Sequence, residues 1–399
     1  MSFVLQQPID YPAHNEEVRR VWEAFSAGKP YRVPVSIGGS ITNYLLNPAL
    51  NVQGWTFQQF FEDPEVQIQA QLAYQQWTRF NLYCDREMGM PEAWSLVVDF
   101  QNSYEAGWVG CPLHYFDGLV PDTQEILRDD KEKLYDLPKL LPVDHGLMKR
   151  ALDCFDYMHE ACTHLEFAGR PVNPPARLPA EGTDGPLDLA YKLRGAENLL
   201  VDMLADEDYY HDLMTYVTDN IINRIKQLRQ LRWTRFPDSS DANVYRLPNY
   251  SFADDAIALL SEEHYREFVY PYHQRIFNEF SDGAAASIHL CGDSTRHFKF
   301  IHQALHVMAF DTGFPVDHGR LRHTLGPDVQ INGGPTVMVV KDGTPADIES
   351  EVRRICASGV MHGGKFVMIA ANNLAPRTPV ENIAALYQAT KHYGRYTDI

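Results

Sequence analysis

His289 and Cys291 stand two residues apart and offer an imidazole nitrogen and a thiol sulfur, donor types that zinc takes readily. They lie in the run Ser287-Ile288-His289-Leu290-Cys291-Gly292-Asp293-Ser294. Ala284 to Leu290 reads as a buried strand, and Gly292-Asp293-Ser294 ends it before an amphipathic helix, Arg296 to Leu305. Alternate strand residues share a face, so both donors point to one side at the strand's carboxyl end. A catalytic zinc takes three protein ligands and keeps an open position, so the pair is half of such a site. The competing reading is a packed histidine beside a buried free cysteine.

Carboxylates that could complete the site lie elsewhere in the chain. Glu181 follows a short strand inside the proline-rich run 171–186 and is placed to face the same pocket or to cap the next helix. Asp254 and Asp255 follow another strand; two buried, ionised neighbours would repel, so at least one must be exposed, capping or paired. Asp85 and Asp99 sit at loop ends, where turn and capping roles are commoner than catalysis. In His159-Glu160-Ala161-Cys162-Thr163-His164 the histidines are at i and i+5, so they miss the shared helix face of a zinc-protease motif.

The elements that must position these groups alternate. Helices are predicted over Asn15 to Ala27, Asp63 to Tyr83, Asp144 to Leu165, Leu187 to Leu193, Pro345 to Ser358 and Pro379 to Tyr393. Strands are predicted at Arg32 to Ile37, Ser95 to Phe100, Asn243 to Leu247, Ala284 to Leu290, Val307 to Phe310, Val329 to Asn332 and Phe366 to Ala371. Strands alternating with helices imply parallel pairing, and about eight of them suit a closed α/β barrel, a (β/α)8 TIM barrel. In such a barrel Glu181, Asp255, His289, Cys291, Asp311, Gly333 and Asn372 gather at the carboxyl ends, with Gly333 and Asn372 expected to border a cofactor. A doubly wound sheet is the alternative, although no dinucleotide-type glycine fingerprint follows the first strand.

Composition limits the partners. A net charge of -18 with no basic run argues against nucleic acid or an anionic membrane. No apolar stretch reaches spanning length, the amino terminus lacks signal-peptide features, and six scattered cysteines suit reduced thiols, so a cytoplasmic protein is expected. The chain is read as one barrel domain, 1–399, with a helical extension over 1–92 and a loop-rich insertion over 107–144.

Five segments together resemble the uroporphyrinogen decarboxylase superfamily, and its corrinoid-linked methyltransferase branch more than its decarboxylases. They are Gly185-Pro186-Leu187-Asp188-Leu189-Ala190-Tyr191-Lys192-Leu193-Arg194-Gly195, Asp254-Asp255-Ala256, His289-Leu290-Cys291-Gly292-Asp293, Gly333-Gly334, and the stretch from Asn373-Leu374-Ala375-Pro376-Arg377 to Ile383. The resemblance implies a (β/α)8 barrel with added amino-terminal helices, a pocket at the barrel mouth and a homodimer. It implies zinc held by His289 and Cys291 and by a later cysteine before Leu-Ala-Pro, but Asn372 or Asn373 occupies that place. A neutral amide is a poor substitute for a thiolate, which leaves Glu181, Asp254 and Asp255 as candidate third ligands. The late histidine and the arginine-rich grip of the decarboxylases are absent too.

The activity this implies is zinc-dependent transfer of a methyl group from a small methylated substrate to cobalt. The cobalt belongs to a cobalamin carried by a separate corrinoid protein, and Glu181 or Asp255 completes the metal shell or supplies a proton. The 21 tyrosines and 20 phenylalanines suit a methoxy-aromatic substrate and O-demethylation. The alternatives are a metal-free decarboxylase or lyase of the same superfamily, and a non-catalytic small-molecule or corrinoid-binding barrel.

Overall fold

The computed structural model describes residues 9–180, 183–236, 251–281 and 286–396. Six parallel strands form one ladder: β1 Thr183–Asp184, β2 Ser251–Ala253, β3 Ala286–Leu290, β4 Val307–Thr312, β5 Gln330–Gly333 and β6 Phe366–Met368. Each lies beside its neighbour in sequence, with no reversal of order. A doubly wound sheet needs such a reversal, so the six described strands exclude that alternative.

Beyond β6 the ladder continues into the amino-terminal part. Val35 bridges Met368 in parallel, the Ser36 N–H donates to the Met368 carbonyl at 2.9 Å, and the Asp85 N–H donates to the Val35 carbonyl at 3.0 Å. The two extremes of the ladder then face one another: Ser36 and Gly38 line the same cavity as Asp184 and as residues of every strand between. With the segments at Val35 and Asp85, the six strands supply the staves of a (β/α)8 barrel.

The alternation in β3 shows how sequence becomes wall. Ala286, Ile288 and Leu290 are buried against the surrounding helices, whereas Ser287 and His289 are half-buried and point inward. Phe298, Ile301 and Leu305 bury one stripe of the following helix, Phe298–Leu305.

Three strand expectations require correction or placement. Arg32 to Ile37 is reduced to isolated bridges, Arg32 with Arg395 and Val35 with Met368. Of Ser95 to Phe100 only Ser95 is in a strand, and with Trp94 it pairs with Val172–Asn173 in a separate three-stranded sheet. Glutamines of the helix Pro64–Asn81 take the ladder's place: Gln71 bonds the Val97 N–H at 3.0 Å and carbonyl at 2.7 Å, and Gln67 accepts the Asp99 N–H at 2.9 Å. The strand expected at Asn243 to Leu247 lies outside the described residues; β2 begins at Ser251.

A buried ion pair ties the amino-terminal segments to the carboxyl-terminal helix Val380–Tyr393. Arg32 grips both oxygens of Asp85 at 2.6 Å, and Asp85 also accepts the Tyr387 hydroxyl at 3.0 Å and the Val35 N–H at 2.8 Å. Glu17 joins Arg32 at 3.0 Å to Lys391 at 2.7 Å. Asp85 is therefore a fastener of the fold, outside the cavity.

His318 lies buried behind β5, beside Gly333 and Phe366, and neither ring nitrogen has a hydrogen-bond partner among the described residues. Burial, with the charge of Arg354 adding, pulls its pKa down to about 4. An imidazole depressed in the fold contributes stability that is complete above the unfolded pKa of 6.5 and is lost as pH falls toward 4. His318→Leu is expected to flatten the unfolding free energy against pH between those values by about 1.4 kcal/mol per unit, one proton's worth. Urea titrations of both proteins across that range measure the difference; parallel curves would refute a neutral buried ring.

Candidate metal centre and its cavity

Asp255 is placed by two reciprocal caps. The buried Asp254 carboxylate accepts the N–H groups of Leu187 at 3.2 Å and Asp188 at 2.8 Å, satisfying the start of the helix Pro186–Arg194. Asp188 in return accepts the N–H groups of Asp255 and Ala256, both at 2.8 Å. A Cβ on Gly185 would lie 2.5 Å from Asp254, so only glycine lets the two segments meet. Asp254 also pairs with His273 Nε2 at 2.6 Å, whose Nδ1 meets the Tyr265 hydroxyl at 3.0 Å. Burial holds His273 at a pKa of about 3, so the ring is neutral, donating to Asp254 and accepting from Tyr265. The adjacent aspartates thus divide: Asp254 locks the scaffold and Asp255 enters the cavity.

Beyond His289 the chain turns sharply at Gly292, whose φ is +70°. Behind the turn Gly313 packs so tightly that a Cβ would stand 2.7 Å from the Cys291 Cα. His289 Nε2 lies 2.9 Å from Cys291 Sγ and 3.9 Å from Asp255 Oδ1, and Asp255 Oδ1 accepts the Cys291 N–H at 2.7 Å. One donor atom from each of the three falls within 4.8 Å of the others. Tetrahedral zinc with bonds of about 2.0–2.3 Å separates its ligand atoms by roughly 3.3–3.8 Å, so the oxygen, nitrogen and sulfur fit the ion with small rotations.

Asp311, at the end of β4, accepts from His289 Nδ1 at 2.9 Å and so leaves Nε2 facing Cys291 and Asp255. Burial alone lowers the imidazole pKa, but hydrogen bonds and charge from Asp311 and Cys291 raise it to about 11. The pocket therefore favours a positive charge at His289, and a divalent ion can take the proton's place. Asp311→Asn is expected to weaken zinc binding by about 10–100-fold, because the amide orients the ring without its negative charge. Competition against a chromogenic chelator reads this; unchanged affinity would remove Asp311 from the metal's support.

Asn372 lines the cavity and donates its side-chain N–H to Cys291 Sγ at 3.1 Å, meeting the thiol as a donor. Gly333 alternates to the opposite face of β5, where His318 and Thr312 crowd it, while Gln330 and Asn332 face inward. It therefore offers no cavity wall for a cofactor, and the inward glycine expected from sequence is replaced by its neighbour Asn332. Glu181 lies outside the described residues.

The cavity measures about 660 Å³ and is mostly polar. Asp184, Asp188, Tyr191 and Lys192 enter it, although the sequence reading gave them no role. Asp188, Tyr191 and Lys192 are spaced i, i+3, i+4 along the short helix after β1, a pattern that could have placed them together at the mouth. Lys192 bonds Asp184 at 3.0 Å and the Asn102 carbonyl.

Comparison with known proteins agrees with this barrel. The family model for uroporphyrinogen decarboxylase (URO-D) matches residues 17–393, so the chain belongs to that family. Within it, the chain is 28% identical over 218 residues to a methylated-thiol--coenzyme M methyltransferase of Methanosarcina mazei, covering 54% of this chain and 53% of the relative. It is also 28% identical over 222 residues to a uroporphyrinogen decarboxylase of Rhodococcus jostii, with 55% of each chain covered. The chain thus spans about half the length of these two relatives. A methylcobamide:CoM methyltransferase, MtbA of Methanosarcina mazei, is 21% identical over 300 residues, covering 74% of this chain and 79% of the relative. In structure, a methyltransferase from Methanosarcina mazei superposes with a TM-score of 0.61 at 16% identity, covering 94% of this chain and 98% of the other, a likeness of fold.

Proposed function

We propose that this barrel is a methyltransferase moving a methyl group from a small methylated donor to the cobalt of a corrinoid protein, with zinc held by Asp255, His289 and Cys291. The observation that carries this reading is the convergence of one oxygen, one nitrogen and one sulfur donor at the wall of a cavity. Two of the relatives, a methylated-thiol--coenzyme M methyltransferase and a methylcobamide:CoM methyltransferase, support it.

Methyl ethers, thioethers and amines hold their methyl groups because the departing heteroatom is a poor leaving group. Zinc at the site supplies a Lewis acid for that heteroatom. The protein's own groups prepare the place. Asp311 fixes the proton on His289 Nδ1, the Asn372 amide donates to the Cys291 sulfur, and the double cap of Asp254 and Asp188 holds Asp255 in position.

A polycarboxylate decarboxylase fits less well. Lys192 is the one lysine or arginine among the described lining residues, and it is already bonded to Asp184. The aromatic count does not favour a methoxy-arene either, because Trp22 and Tyr191 are the only phenyl or indole side chains among the described lining residues. No described helix is long and apolar enough to cross a membrane.

The test is anaerobic incubation of zinc-loaded protein with reduced cobalamin and a panel of methyl ethers, thioethers and amines. Methylcobalamin, read from its absorbance, is expected only from the loaded protein. A metal-free preparation that decarboxylates a carboxylic acid would replace this reading with the lyase, and ligand binding without turnover would replace it with the binding barrel.

A further inference from the structure

Charge divides the cavity wall into two arcs. Along β1 to β4, the turns after them and the helix after β1, the wall carries the carboxylates of Asp184, Asp188, Asp255 and Asp311 beside His289, Cys291 and Lys192, whereas β5 and the turn after β6 contribute the neutral amides of Gln330, Asn332, Asn372 and Asn373. The ammonium of Lys192 is already shared between Asp184 and the Asn102 carbonyl. If Asp255 and the Cys291 thiolate neutralise a divalent ion, and Lys192 offsets Asp184, then Asp188 and Asp311 have no cation of their own, and burial with the neighbouring Asp254, Asp184 and Asp255 holds the Asp188 carboxyl well above its usual pKa for want of one. Each Asp188 oxygen accepts one backbone N–H and keeps capacity for another donor.

We propose that the methyl donor is a small hydrophilic cation, with an ammonium head against Asp184 and Asp188 and a methylated sulfur or oxygen at the metal donors. This rests on the methyl-transfer reading of the same site. An ammonium group offers N–H donors to carboxylates that a neutral arene would desolvate without compensation. Tyr191 and Trp22 are the aromatic residues among the described lining, and aromatic rings tolerate a cation better than they do an anion. A carboxylate-bearing donor meets the opposite field, with its one cationic partner already engaged.

The test is calorimetric titration of the zinc-loaded full chain with three ligands of similar size: S-methylcysteamine, methyl propyl sulfide and methylthioacetate. The cation is expected to bind about tenfold or more tightly than the neutral thioether, and the carboxylate most weakly. Asp184→Asn is expected to reduce the preference for the cation, and Lys192→Met, which removes its competitor, to increase it. Equal binding of all three, or tightest binding of the carboxylate with its loss in Lys192→Met, overturns the proposal. The same ligands incubated with reduced cobalamin separate the two levels of inference. Methylcobalamin from the neutral thioether without cation preference refutes the donor class alone. Cation preference with no methylcobalamin from any donor refutes the methyl-transfer reading, and the assignment of a donor falls with it.

Discussion

Cys291→Ala is expected to reduce bound zinc from about one ion per chain to a small fraction and to lower methyl transfer by about 1000-fold. The size follows from what is removed. Sulfur is the softest of the three donors, and without it an imidazole and one carboxylate hold a divalent ion poorly while Asn372 can offer only a neutral amide. Lewis-acid stabilisation of a departing heteroatom is worth several kcal/mol, and about 4 kcal/mol corresponds to three decades in rate. Metal analysis of purified protein reads the first effect and methylcobalamin formation the second. Cys356→Ala is the control, since that thiol is buried in the helix Pro345–Ala357. Paired Asp255→Ala and Glu181→Ala variants decide the third ligand: zinc content should fall with the first and hold with the second. Full zinc occupancy in Cys291→Ala would sink the proposed centre.

Asp85→Ala is expected to destabilise the fold by about 3–5 kcal/mol, a large share of a domain's net stability. The Arg32 and Asp85 side chains are 4% and 0% exposed, so deleting the carboxylate strands a guanidinium in the interior. It also takes a partner from the Tyr387 hydroxyl and the Val35 N–H, on elements brought together from both ends of the chain. The urea midpoint should drop accordingly, and the double variant Asp85→Leu with Arg32→Met should recover much of the loss, because it buries no lone charge. A single variant within about 1 kcal/mol of the parent would show that packing, and not this pair, joins the two ends.

Local patterns made much of the scaffold legible. The helices Tyr11–Ser26, Pro64–Asn81 and Val380–Tyr393 follow apolar spacing and terminal signals to within a few residues at each end. The strand carrying His289 followed from its apolar run, and its period of two explains why Cys291 shares the imidazole's side. The same period, applied with the correct phase at β5, would have chosen Asn332 over Gly333. By contrast, Ser95 to Phe100 has a strand-like composition but lies where Gln67 and Gln71 take its backbone hydrogen bonds, a contact with no local signature.

By itself, then, the sequence determined the alternation of strands and helices and the imidazole–thiol pair at one strand's end, because both depend on neighbours within a few residues. Tertiary structure decided which carboxylate stands beside that pair. Asp254 and Asp255 are adjacent and chemically alike, and only contact with Asp188, 67 residues away from Asp255, turns one into the scaffold and the other into the cavity. Asp311 likewise becomes the support of His289 through parallel pairing of two staves across a helix. Hydrogen bonds and charges depend on distance in space, which a one-dimensional pattern carries only for residues close along the chain.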